Sequence, residues 1–117
     1  MSYDLNFWKC RQGVDLEHQA VYERLSGGEH VDGLEELPIA TIRAKIAEAF
    51  REGWEQLDPD TWESSDSGMF QLFTTPQFFR VDCYGMEGEV MHRFIDILAA
   101  HGAPLYDPRV ERRFARE

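Results

Sequence analysis

Residues 69–84, MFQLFTTPQFFRVDCY, hold two runs rich in aromatic and β-branched side chains, joined at Thr75–Pro76. Such runs around a turn read as a β-hairpin. Along the second run, alternation sets Phe79, Val81 and Cys83 on one face. Phe78, Arg80, Asp82 and Tyr84 fall on the other. One face suits a core, and the second mixes rings with charges.

Outward from the hairpin, Tyr3–Trp8 repeats the period of two, with Tyr3, Leu5 and Phe7 against Asp4, Asn6 and Trp8. DLEHQAVYERLSGG then reads as a short helix, with Asp15 as N-cap, Leu16, Val21 and Leu25 near one face, and Gly27 as the stop. PIATIRAKIAEAF opens on a proline suited to a first turn, and Ile39, Ile42, Ile46 and Phe50 form one apolar stripe. Gly53 is expected to end that helix. EGEVMHRFIDILAAHG is a further helix, with its stripe at Met91, Phe94, Ile95 and Leu98 and its C-cap at Gly102. APLYDP reads as a closing strand between two prolines, and residues 109–117 as a basic tail that frays.

The order is strand, helix, helix, strand, strand, helix, strand. Apart from one extra helix this is β-α-β-β-α-β, the ferredoxin-like order of a split βαβ pair. The expected fold is a single α+β domain over residues 1–117. It is a two-layer sandwich, a four-stranded antiparallel sheet with helices on one face. The sheet's other face is then left for solvent, a covering segment or a partner.

A chain of 117 residues with 43% hydrophobic and 13% aromatic content can build one core. Its 22 acidic and 12 basic residues give a formal charge of −10. That sign repels nucleic acid and anionic membranes and favours basic partners. The opening MSYDLNFWKC lacks a basic region followed by an apolar run, and no apolar stretch nears the roughly 18–20 residues of a membrane span. Cys10 and Cys83 stand in no CxxC, so free thiols in a reducing cytoplasm are expected.

Residues 53–68, GWEQLDPDTWESSDSG, carry two tryptophans and no lysine or arginine, and read as a turn-rich acidic loop. Counted from Asp58, a calcium loop would need glycine where Glu63 stands. Pro59 suits a turn, with Asp60 capping a helical turn after it. His18, His30, His92 and His101 show no HxxxH or HxH spacing. No GxSxG elbow or glycine-rich phosphate loop is present. Cys83 shares the side of Phe79 and Val81, the setting of an inert thiol. No catalytic residue, metal or cofactor is assigned. The candidate site is a partner-binding surface: Trp8, Arg80, Asp82 and Tyr84 from strands, and Trp54, Asp58, Asp60, Trp62, Glu63 and Asp66 from the loop. Aromatics and arginine are enriched at the energetic centres of interfaces. Exposure of Trp54 and Trp62 decides whether they anchor a partner or fill the core.

The opening SYDLNFWK, the strand QFFRVDCYGM and the closing PLYDP resemble, in general style over nearly the full length, small acidic cytoplasmic immunity proteins of bacterial polymorphic toxin systems. That resemblance implies a one-to-one inhibitor of a cognate toxin domain, often a basic nuclease, and transfers no functional residue by position. The alternative is a small enzyme or ligand-binding domain whose carboxylate-lined cleft uses Asp82, His92 and the loop acids. Homodimerisation through the open sheet face is compatible with either.

Overall fold

The period of two in Tyr3–Trp8 becomes a strand whose two faces feed two separate cores. A computed structural model describes residues 2–108 and 112–114, with side chains from 3 to 108. Its strands are β1 (Ser2–Phe7), β2 (Lys9–Cys10), β3 (Leu34–Glu35), β4 (Glu55–Asp58), β5 (Thr61–Ser64), β6 (Gly68–Thr75), β7 (Phe78–Tyr84), β8 (Leu105–Asp107) and β9 (Arg112–Phe114). Three helices, α1 (His18–Ser26), α2 (Ile39–Ala49) and α3 (Gly88–Ala100), complete an α+β fold.

The four expected strands lie side by side as β6-β7-β1-β8, with every neighbour antiparallel. The sheet is nevertheless seven-stranded, in the order β4-β5-β6-β7-β1-β8-β9, and not four-stranded. At one edge, residues read as a loop form the hairpin β4–β5. At the other, β9 lies inside the stretch read as a fraying tail and pairs with β8, Leu105 opposite Phe114 and Asp107 opposite Arg112. The rest of that stretch lies outside the described residues. Both additions extend the sheet at its edges, where β4 and β9 draw backbone hydrogen bonds from a neighbour already in place and so need little apolar content of their own.

The first core joins Leu5, Phe7, Phe79, Val81 and Cys83 to Ile42, Ile46 and Phe50, and to Phe94 and Leu98 of α3. Phe50 stacks on Phe94 at 4.7 Å and meets Phe70 edge-on at 4.9 Å. The second core lies on the opposite side of the sheet, where Val21 and Leu25 of α1 close over Trp8, Phe78 and Tyr106. The expected placement of all helices on one face is therefore corrected. Three large rings on the far face, each with some 150–250 Å² to bury, require cover, and α1 supplies it.

Local details differ too. Glu17, not Asp15, caps α1, its carboxylate accepting from Ala20 N–H at 2.6 Å and Gln19 N–H at 3.3 Å. The helix α2 ends at Ala49, before Gly53, which takes φ +80° in the turn into β4. Buried Gln77 ties the α1–β3 connection to the hairpin, donating to the Val31 carbonyl at 2.8 Å and accepting from its N–H at 2.9 Å.

Candidate protein-interaction face

On the side of the sheet that α1 occupies, the cover is partial. Cross-strand register lines up the side chains there in rows. One row runs Glu55, Glu63, Met69, Tyr84, and the next runs Asp58, Thr61, Gln71, Asp82, Asp4. A third runs Phe73, Arg80, Asn6, Tyr106, where the cover begins. In the first two rows the charged side chains are Glu55, Glu63, Asp58, Asp82 and Asp4, all acidic. Glu55, Glu63, Asp58, Asp4 and Gln71 are exposed, and Tyr84 is 41% exposed beside them. Two carboxylate pairs, Glu55 with Glu63 and Asp4 with Asp82, stand directly opposite each other across strands. Like charges in that position repel and destabilise the sheet locally.

Asp82 is the most constrained of these acids. Its side chain is 15% exposed, and Arg80 Nε approaches its Oδ1 to 3.1 Å. That Nε has no aligned hydrogen-bond acceptor, so the contact is chiefly one of charge. Arg80 also lies 4.7 Å from the centre of the Phe73 ring, a cation–π contact that holds it toward the third row. Burial, followed by hydrogen bonding to Asp4 and that carboxylate's charge, pushes Asp82 up to about 6 against the pull of Arg80. On the reverse side of the same strand, burial pushes the Cys83 thiol up to about 12, with Asp82 and Asp4 adding to it. A buried thiol so displaced remains protonated at neutral pH and is a packing atom, not a nucleophile.

The structure divides the sequence-predicted site residues. Asp58, Glu63, Arg80, Asp82 and Tyr84 share this one face. Asp66 is exposed in the β5–β6 turn beside it, where Ser64 Oγ accepts from Asp66 N–H at 3.4 Å. Trp62 and Trp8 are 3% and 0% exposed and offer no ring to a partner. Trp62 stacks on Phe70 at 5.1 Å, and half-buried Trp54 packs on Phe50 and Phe70 at 5.3 Å, both on the α2–α3 side. Trp62 and Trp8 are core and Trp54 packs against it on the helix side, which corrects their reading as anchors on the open face. Asp60 caps no helical turn, since Thr61–Ser64 is a strand. Its carboxylate binds Arg43 of α2 at 2.8 Å, while Arg43 also donates to the Pro59 carbonyl at 3.1 Å. Asp58 Oδ1 accepts from Asp60 N–H at 2.8 Å and shapes the β4–β5 turn.

Glu55, Met69, Gln71 and Asp4 belong to the face and were not singled out as site residues. The alternation of Asp4 was legible, whereas Glu55 needed the unrecognised strand β4. His92 sits on α3, 3.8 Å from Asp96, on the opposite side of the sheet from Asp82, so these two line no common cleft. A small hollow of about 160 Å³ lies elsewhere, lined by Glu29, His30, Glu36, Pro76 and Gln77, whose amide is already bonded to Val31. Among the described residues no group of three or more His, Cys, Asp or Glu is placed to hold a metal ion. Nor, among them, is any helix long and apolar enough to cross a membrane. No protein-family model, curated protein or solved structure matches this chain.

Proposed function

We propose that this protein is a cytoplasmic, immunity-type inhibitor that binds a basic toxin domain through the acidic rows of its sheet. The observation carrying the proposal is the pair of rows themselves, five carboxylates of which Asp82 is paired with Arg80 from the next row, fixed on a seven-stranded sheet. A rigid sheet presents charge without an ordering cost at the moment of binding. The two like-charge pairs are eased when a partner's lysines or arginines come between them. A face of this sign steers a basic partner, with association reaching roughly 10⁸ M⁻¹s⁻¹ at low salt, and occupies cations the partner needs for its own anionic substrate. Tyr84, with Met69 opposite it, supplies the apolar centre. The inner strands with α2 and α3 provide the ferredoxin-like frame on which this face is built.

The test pairs this chain with the product of the adjacent reading frame, which the proposal expects to be a basic protein. A one-to-one complex that restores growth of cells expressing that product is the expected outcome. The substitutions Glu55→Gln, Asp58→Asn and Glu63→Gln together are expected to slow association at least about tenfold at low salt and to reduce its salt dependence. Unchanged rate and salt dependence would remove this face from the interaction.

A further inference from the structure

We draw no further inference here: the strongest candidate, the outer edge of the sheet at β4, where all four residues are exposed, Leu57 to 50%, and the register shifts between Gln56 and Asp58, is a short, bulged and acidic edge of the kind that resists strand addition, and nothing in the structure shows what covers it.

Discussion

At the scale of single residues, burial separates two kinds of side chain that look alike in the sequence. Trp62 and Asp82 both lie in segments mixing rings with acids, yet one fills the core and the other sits at the edge of an open face. Trp62→Ala removes a 3%-exposed ring stacked on Phe70 and is expected to destabilise by about 3–5 kcal/mol. Half-buried Trp54→Ala is expected to lose only about 1–2 kcal/mol in the same denaturant titration. Equal losses would show that the two rings are not layered as described. Asp82 gives a prediction of opposite kind. Its carboxyl, ordinarily near 3.8, is raised to about 6 by burial and by Asp4. Between those values the folded chain holds a proton that the unfolded chain has released, so stability falls as pH rises through about 6. The loss is at most about 3 kcal/mol. Urea midpoints are therefore expected to drop between about pH 5 and pH 7.5, and Asp82→Asn to flatten that drop. The same slope in the variant would assign the effect to other groups.

Secondary-structure elements were legible where a periodic apolar face dictated them. The helices α2 and α3 and the strands β1, β6 and β7 all carry such a face, and these, with β8 between its two prolines, formed near their expected bounds. The hairpin β4–β5 did not show itself because only Trp62 of its strand residues turns firmly into the core, while every residue of β4 is exposed. Turn-forming Pro59 and the serines around Asp66 further disguised two strands as one loop. Which side of the sheet α1 chose was also hidden, although Trp8 and Phe78 on the supposedly open face pointed to it. Two expectations belong to these elements. Gly68 opens β6 at φ +97°, and a Cβ there would collide with the Tyr84 carbonyl oxygen. Gly68→Ala is thus expected to destabilise by more than about 1 kcal/mol and to disturb the Tyr84 row, as seen in thermal melts and amide shifts. Glu63→Lys places opposite charges across β4 and β5 in place of Glu55 facing Glu63, and is expected to add about 0.2–1 kcal/mol of stability. The same change weakens binding of a basic partner, so a variant gaining in both would contradict the assigned face.

For the whole molecule, the question is whether the charge of −10 acts by its total or by its placement. A soluble domain gains colloidal stability from net charge wherever it sits, and such a field attracts any cation weakly. Steering to one face needs carboxylates that outnumber their cations, as in the first two rows, where Arg80 pairs with Asp82 alone while resting on Phe73. The helix side of the sheet offers a matched control, because Glu48, Glu52 and Glu89 are exposed there on or beside α2 and α3. Replacing these three by Gln changes the net charge as much as Glu55→Gln, Asp58→Asn and Glu63→Gln does. If placement governs, the face set lowers the association rate with hexa-arginine or a basic partner about tenfold at low ionic strength, and the helix set changes it by less than about twofold. Raising salt to about 0.5 M should bring wild type and face variant together, because the Debye length then falls well below the spacing between rows and partner. Equal losses from the two sets would reduce the acidity to a general solubility device, and the cross-strand carboxylates would be left without a binding role.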